Sequence, residues 1–182
     1  MTTPNSFSGV YDLDTAHSSV GFTVRHAMVT KVHGEFTDFT AALTANQENP
    51  SESKVEATVQ TASVDTRNAD RDAHVKNEDF FDVENYPQMK FVSTAFDVDA
   101  SGNGTVTGDL TIKETTKPVT LDVETFGVEE DPFGNTRLGF EARTTINRKD
   151  FGIDFDAPLN SGGALVGEKI TIEIDGSGIK RA

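Results

Sequence analysis

Apolar and polar residues alternate with a period of two along most of the chain. A period of two places successive side chains on opposite faces of a β-strand, so it predicts strands with one apolar and one polar face. Six segments show the alternation clearly: residues 18–28, 55–59, 105–112, 118–128, 136–147 and 169–175. Less regular strands are expected near residues 9–14, 32–45 and 88–98.

Turn-forming residues separate these strands, and the connections between residues 104 and 147 are short, which favours antiparallel neighbours. Strands with one apolar face can pack as two sheets face to face or close into a barrel. Several strands are much longer than the usual five or so residues, which favours the barrel. A barrel of about eight strands can be filled by its own side chains or can hold one small ligand.

One segment, RDAHVKNEDFFD at residues 71–82, interrupts the β pattern. We expect a short helix near residues 69–79, in which Val75 is the one strong apolar residue before Phe80. Such a helix buries too little apolar surface to be stable alone. The segment therefore predicts a lid over one end of the barrel, anchored by Phe80 and Phe81. The same lid could gate a ligand tunnel, and the two roles are compatible.

Composition narrows the classes of function. The chain has 182 residues, a formal net charge of −14 and no cysteine. A negative overall field repels phosphate backbones, so nucleic acid is not an expected partner. Without cysteine there is neither a disulfide nor a thiolate metal site, which fits a reducing cytoplasm. The chain contains no run of about eighteen apolar residues, so no membrane-spanning helix is predicted.

The N-terminal residues lack the basic start and apolar stretch of a secretory signal, and we expect a cytoplasmic protein. Residues 1–8 are polar, contain Pro4 and are interpreted as a flexible tail. With no internal repeat and no long linker, residues 9–182 are expected to form a single domain.

No pattern of nucleophilic catalysis is present, since the chain has no cysteine and no Gly-x-Ser-x-Gly element. Asp70, Asp72 and His74 have a workable spacing for metal ligands but fall short of a full set. Ion pairing around Arg67 and Arg71 is the preferred interpretation of that cluster. We therefore expect neither an enzyme nor a metal site.

The remaining polar candidates are a histidine and an arginine. His26 shares the apolar face of its strand and is expected to be a hydrogen-bonded core histidine, or else to contact a ligand's polar head. The residues around Arg148 predict a strand end and a turn, with Arg148 and Asp150 as a local ion pair. At a cavity mouth this pair could meet a phosphate or quinone head group.

Thirteen phenylalanines, with no tryptophan, supply the predicted interior with rings that need only apolar neighbours. They could form a solid core or line an apolar tunnel, and the sequence leaves both open.

An ordered set of motifs resembles the YceI-like proteins over roughly residues 10–180. The motifs are HSSVGFTVRH at 17–26, SVDT at 63–66, the segment at 71–82, YPQMKF at 86–91, GDLTI at 108–112, KPV at 117–119, INRKDFGI at 146–153 and GALVG at 163–167. The sequence departs from the family in lacking a secretory signal, in the turn Glu114-Thr115-Thr116, and in having Phe155 where a tryptophan is frequent.

The resemblance implies an all-β, eight-stranded antiparallel barrel of lipocalin-like type with an elongated apolar cavity. It also implies binding of a polyisoprenoid, an isoprenoid quinone or a similar long-chain lipid, and formation of a homodimer. No cofactor other than such a ligand is expected. The alternative is a solid-cored stress-response or interaction module without a ligand.

Together, pattern and resemblance give the residues expected to line the cavity. They are Val20, Phe22, Val24, His26, Phe36, His74, Phe80, Phe81, Met89, Phe91, Leu110, Leu121, Leu138, Phe140, Arg148, Phe151, Ile153 and Phe155.

Overall fold

The computed structural model describes residues 7–27, 29–156 and 166–181, and in this part more than half of the residues lie in β-strands. The strands are β1 (Gly9–Leu13), β2 (Ser19–His26), β3 (Thr30–Phe36), β4 (Phe39–Ala45), β5 (Lys54–Gln60), β6 (Val64–Asp65), β7 (Gln88–Val98), β8 (Gly104–Ile112), β9 (Thr115–Glu130), β10 (Thr136–Asn147) and β11 (Val166–Lys180). The α-helix, α1, spans Ala69–Lys76. Short 3-10 turns lie at Thr15–His17, Pro50–Glu52, Thr61–Ser63 and Arg148–Phe151.

Eight of the strands close into an antiparallel barrel in the order β1-β4-β5-β7-β8-β9-β10-β11. The ring is closed by β1 and β11, where Tyr11 pairs with Lys180 and Leu13 with Gly178. The predicted eight-stranded antiparallel barrel is therefore confirmed. Closure removes the exposed strand edges that an open sheet would leave.

Strands β2, β3 and β6 extend the barrel wall at one end. The first part of β11 pairs with β2, β2 pairs with β3, and β3 pairs with β6. The region predicted as one irregular strand at residues 32–45 is two strands, β3 and β4. Between them, the backbone N–H of Thr37 donates to Ser63 O, and Asp38 O accepts from the N–H of Gln60. The strand is interrupted at these two residues because their backbone groups bond to the ends of the 3-10 turn that joins β5 to β6.

Helix α1 closes the end of the barrel that β2, β3 and β6 extend, as the sequence predicted. The Asn68 side chain caps its N-terminus by accepting from the Arg71 N–H. The helix ends at Lys76, slightly earlier than expected, because Asn77 is extended. Beyond it, Phe81 N–H donates to Val75 O, which turns the following phenylalanines toward the barrel.

The lid is held by apolar packing. Val75, Phe80 and Phe81 pack against a core cluster that includes Phe36 and Met89.

No helix in the described part of the chain is long and apolar enough to cross a membrane.

The predicted flexible tail at residues 1–8 includes Phe7, which the structure places in the core. Phe7 is buried in a second core cluster with Tyr11 and Leu138, and its backbone N–H donates to Gln47 Oε1. Residues 1–6 and Met28, the last residue of the strand predicted at 18–28, are outside the described residues.

Candidate ligand-binding cavity

The inside of the barrel is hollow. A cavity of about 240 Å³, here called the barrel chamber, is lined by inward-facing side chains from all eight barrel strands. Its wall is made almost wholly of aliphatic and aromatic groups, as alternation along each strand requires. Leu110, Leu121 and Phe140 are typical of this wall.

A second cavity of about 410 Å³, here called the lid chamber, lies under helix α1. Phe80, Phe81 and Phe155 form part of its apolar surface, together with Val24 and Ile170. The Phe80 and Phe155 rings lie 5.3 Å apart, and each makes an edge contact with the His74 ring. The predicted lid therefore covers an apolar space, which adjoins the core cluster against which the lid packs.

The two chambers share part of their walls. Phe22, Phe36, Met89, Ile112 and Ile172 line both of them, and we call these five side chains the partition. The rings of Phe22 and Phe36 are 5.5 Å apart within it. A chain longer than one chamber must pass the partition, and Met89 is a side chain that adapts easily to a changed space.

Three inward-facing phenylalanines lie across glycines of the neighbouring strands. A β-carbon placed on Gly34, Gly108 or Gly176 would come within 2.3 Å, 2.5 Å and 2.2 Å of a ring atom of Phe22, Phe91 and Phe140. The rings occupy the space above the glycines and follow the wall. The missing side chains thus let large aromatic residues line the chamber without filling it.

Arg148 is the most deeply buried charged side chain of the described residues, with 3% of its surface exposed. Its guanidinium donates to three backbone oxygens, those of Ile153, Val166 and Gly167, at 2.8, 3.1 and 2.9 Å. The predicted ion pair with Asp150 is wrong, because Asp150 lies exposed and these carbonyl oxygens take its place. Arg148 lines the lid chamber and ties the start of β11 to the 3-10 turn after β10.

The lid chamber has a more polar rim than the barrel chamber. Arg25, His26, Asp70, Arg71 and His74 all contribute to its wall. His26 is exposed at the end of β2 and makes no side-chain hydrogen bond among the described residues, so the expectation of a hydrogen-bonded core histidine is wrong. Its strand ends at that point, which leaves the ring at the rim.

The expected ion pairs around Arg67 and Arg71 are also wrong. Arg71 donates from Nε to Thr66 Oγ1 and from Nη2 to Thr66 O, and neither arginine forms an ion pair among the described residues. Asp72 Oδ1 accepts from the backbone N–H and the hydroxyl of Thr66. The cluster thus fixes the start of α1 to β6 through hydrogen bonds.

His74 Nε2 lies 2.9 Å from Asp79 Oδ2, which places this pair beside the Phe80 ring. Within residues 7–27, 29–156 and 166–181, no three histidine, aspartate or glutamate side chains are grouped closely enough to hold a metal ion.

The residues predicted to line the cavity divide between the chambers, with Phe22, Phe36 and Met89 in both. The barrel chamber has Val20, Phe22, Phe36, Met89, Phe91, Leu110, Leu121, Leu138 and Phe140 in its wall. The lid chamber adds Val24, His26, His74, Phe80, Phe81, Arg148, Ile153 and Phe155. Phe151 belongs to neither wall, because it is packed in the core with 2% of its surface exposed. Contact of the other residues with a ligand remains a prediction.

Sequence reasoning missed Tyr11, which lines the barrel chamber from β1. Only 1% of its surface is exposed, and its hydroxyl is the one buried side-chain polar atom without a hydrogen-bond partner in the described part. Burial raises the pKa of this phenol above its ordinary value of 10.0. The signal in the sequence was an aromatic residue with a polar group on the inward face of a predicted strand.

A closed antiparallel barrel with a lidded apolar interior defines a class of small, lipocalin-like ligand-binding barrels. The YceI-like domain model matches residues 11–177, and the chain belongs to this family.

Similar proteins agree with this assignment. A UPF0312 protein of Photorhabdus laumondii is 42% identical over 146 residues, covering 80% of this chain and 75% of that protein. Protein YceI of Escherichia coli O157:H7 is 41% identical over 145 residues, with the same coverage of 80% and 75%.

Solved structures show the same fold. BcnA of Burkholderia cenocepacia superposes with a TM-score of 0.75 at 26% identity, covering 91% of this chain and 98% of BcnA. The YCEI protein of Campylobacter jejuni gives 0.72 at 31% identity, covering 93% and 97%. A polyisoprenoid binding domain from Saccharophagus degradans gives 0.69 at 10% identity, covering 94% and 98%, a likeness of fold alone.

Proposed function

We propose that this protein binds one long-chain lipid, such as a polyisoprenoid or an isoprenoid quinone, and carries it shielded from water. The observation that carries the proposal is the pair of adjoining apolar chambers inside the closed barrel, separated by only the partition. A long chain that passes the partition would lie in both chambers at once. No reaction is part of the proposal, because the interior offers apolar surface and few polar groups.

Burial of an apolar chain is sufficient to drive such binding. Each methylene group transferred from water to an apolar surface contributes about 0.8 kcal/mol. Phe91 and Phe140 line the barrel chamber, so a bound chain gains dispersion contacts with their rings. Chamber length and shape then select the ligand.

Family membership and the known ligand class of one structural neighbour support the same proposal. The Saccharophagus degradans domain is described as polyisoprenoid binding, and it shares the barrel fold with this chain. We extend that class of ligand to this protein on the strength of its own apolar chambers.

The proposal is tested by extracting the purified protein with organic solvent, identifying what is released by mass, and loading the emptied protein with a polyprenyl probe. We expect a retained lipid, or uptake of one probe molecule per chain in native mass spectrometry. A protein that is lipid-free and also takes up no probe would refute lipid carriage.

A matched pair of variants locates the bound chain. Ala57 points into the barrel chamber, whereas Ala95 lies exposed on β7. Ala57→Phe should fill part of the chamber and reduce uptake of the probe, while Ala95→Phe should leave uptake unchanged. Equal uptake by both variants would place the chain outside the barrel.

The homodimer and the cytoplasmic location stay predictions. Sedimentation of the purified protein measures its mass in solution, and fractionation of the source cells measures its compartment. Neither outcome alters the proposal that the interior binds a lipid.

A further inference from the structure

The hairpin formed by β2 and β3 carries positive charge in an acidic protein. The chain has a formal net charge of −14, yet no aspartate or glutamate lies between Asp14 and Glu35. Arg25, near the end of β2, and Lys31, near the start of β3, are both exposed. The β2–β3 hairpin is therefore a positively charged patch on a protein whose charge is mostly negative.

Arg25 and Lys31 are direct cross-strand partners, so their side chains share one face of the hairpin. Like charges in this arrangement repel each other and weaken the pairing of the two strands. Neither side chain forms an ion pair with a described residue, and Arg25 Nη1 donates to Val29 O at 3.3 Å. The described part of the chain thus supplies no counter-charge for these two cations.

An exposed apolar side chain lies at the tip of the same hairpin. Val29 has 74% of its surface exposed, and its backbone N–H donates to His26 O at 3.2 Å across the turn. Segments that bind at membrane surfaces combine cations, which attract anionic lipids, with apolar side chains that enter the head-group layer. The β2–β3 hairpin has both features.

The hairpin also forms part of the lid chamber. Val24, Arg25, His26 and Val32 belong to the wall of that chamber. Asp70 is the one acidic residue among the described lining residues, which include three arginines. A surface that the hairpin contacts therefore lies next to this chamber. Because a water-insoluble ligand resides in a membrane, a carrier must meet that membrane close to its cavity.

The overall negative charge does not prevent such contact. Glu129, Glu130 and Asp131 lie at the β9–β10 connection, at the end of the barrel opposite the lid. β10 runs from that end toward the lid over 12 residues, which is about 40 Å along the strand. In physiological salt a charge acts over about 8 Å, so these acids are screened from a surface at the hairpin.

We propose that the β2–β3 hairpin docks on an anionic membrane surface, with Arg25 and Lys31 against lipid phosphates and Val29 in the head-group layer. Docking brings the lid chamber next to the membrane from which the ligand is taken. The inference rests on the proposed lipid-binding function and deepens it, because it names the surface at which the ligand is exchanged.

The main test compares two charge reversals. Lys31→Glu places a carboxylate opposite Arg25, whereas Lys54→Glu makes the same change at an exposed position at the start of β5, away from the lid. Flotation measures binding to vesicles of phosphatidylglycerol and phosphatidylcholine, and to vesicles of phosphatidylcholine alone. Displacement of Nile red from the delipidated protein by squalene, an isoprenoid hydrocarbon, measures uptake without a membrane.

We expect the wild type to float with the anionic vesicles, to be released by high salt, and to bind the neutral vesicles weakly. Lys31→Glu changes the local charge by two units and should weaken binding to anionic vesicles about thirtyfold. Lys54→Glu should stay within about twofold of the wild type. Both variants should take up squalene normally. Lys31→Glu should unfold at the same or a higher urea concentration, because it replaces a repulsion with an ion pair.

A second pair of variants tests the apolar tip. Val29→Thr keeps the shape of the side chain but replaces a methyl group with a hydroxyl, and it should weaken binding to anionic vesicles about fivefold. Val92→Thr is the matched control, since Val92 is 45% exposed on β7 and lines neither chamber. It should bind the vesicles as the wild type does, and equal binding by Val29→Thr would exclude insertion of Val29.

Each contrary result of the charge test overturns a stated part of the proposal. A wild type that takes up squalene but does not float with anionic vesicles overturns docking and leaves lipid binding standing. Equal binding by Lys31→Glu and Lys54→Glu overturns the assignment to the hairpin. Loss of squalene uptake in Lys31→Glu overturns it as well, since the lysine would then act on the cavity. A wild type that takes up no squalene contradicts the proposed function, whereas docking is decided by flotation alone.

Discussion

Phe22 on β2 lies across Gly34, its direct partner on β3, so that the far end of the ring occupies the space of a glycine β-carbon. A β-carbon built on Gly34 would be 2.3 Å from Phe22 Cζ. Phe140 and Gly176 repeat the arrangement on β10 and β11, again as direct partners. In both pairs the glycine lets the ring follow the wall, which keeps the interior open.

Gly176→Ala should therefore narrow the barrel chamber by forcing the Phe140 ring away from the wall. We expect weaker uptake of squalene and a loss of about 1–3 kcal/mol in the free energy of unfolding, as for other overpacked sites. Gly139→Ala is the control, because the nearest atom to its added β-carbon is Phe126 Cβ at 3.9 Å. Displacement of Nile red and urea unfolding measure the two effects. Unchanged uptake by Gly176→Ala would show that the ring does not set the chamber width.

Phe81→Ala should loosen the lid. Phe81 makes an edge contact with Phe36 of the partition at 5.7 Å, and its N–H bonds to Val75 O in α1. Loss of the ring removes an anchor from a helix that buries little apolar surface of its own. We expect amide hydrogen exchange in Ala69–Lys76 to be faster in Phe81→Ala than in the wild type, while exchange in the barrel strands stays the same.

The control for the lid is Phe133→Ala. Phe133 lies in the turn between β9 and β10 with 87% of its surface exposed. Its replacement should leave exchange in α1 unchanged. Equal protection of α1 in the wild type and Phe81→Ala would show that the helix is held by other contacts.

Arg148→Gln should lower the free energy of unfolding strongly, although Arg148 forms no ion pair among the described residues. The change removes the guanidinium from three backbone oxygens and leaves buried acceptors without donors. We expect a loss of about 3 kcal/mol, since charge-assisted hydrogen bonds and unsatisfied buried groups each contribute at this scale. Urea unfolding measures it.

Arg143→Gln is the matched change on the barrel exterior. Arg143 forms an exposed ion pair with Glu173 at 3.4 Å, and such pairs contribute less than about 1 kcal/mol. If Arg148→Gln were no more harmful than Arg143→Gln, the carbonyl cluster would not hold the start of β11.

The barrel could be predicted from the sequence because strand alternation, strand length and short connections are all set by residues that are close together along the chain. The wall residues of the long strands, such as Leu121 and Phe140, follow directly from a period of two. The anchoring of the lid by Phe80 and Phe81 could also be predicted, since two adjacent aromatic rings after a polar helix need an apolar site to pack against.

What the sequence did not reveal depends on contacts between distant segments. The break at Thr37 and Asp38 arises from hydrogen bonds to the turn between β5 and β6. The partners of Arg148 are backbone carbonyls, which no side-chain pattern can indicate. Tyr11 became conspicuous only when its hydroxyl was seen to be buried without a partner.

Acid should weaken the end of the barrel that lies opposite the lid, through Arg137. Its Nε lies 2.7 Å from Asp131 Oδ2, and its Nη1 lies 2.7 Å from Asp14 Oδ2. These hydrogen bonds lower the pKa of both carboxyls from 3.8 to about 2, and the nearby His17 ring contributes at Asp14. A carboxyl with a lowered folded-state pKa stabilises the fold above its unfolded-state pKa, and this contribution is lost as pH falls through the folded-state value.

We therefore expect the wild type to lose stability between about pH 4 and pH 2, and Arg137→Gln to show a smaller loss over the same interval. The arginine joins β10 to the residue after β1 and to the β9–β10 turn, so its removal should also lower stability at neutral pH. Urea unfolding across the acid range measures both effects. Parallel pH profiles for wild type and Arg137→Gln would show that this arginine is not what lowers the pKa of the two carboxyls.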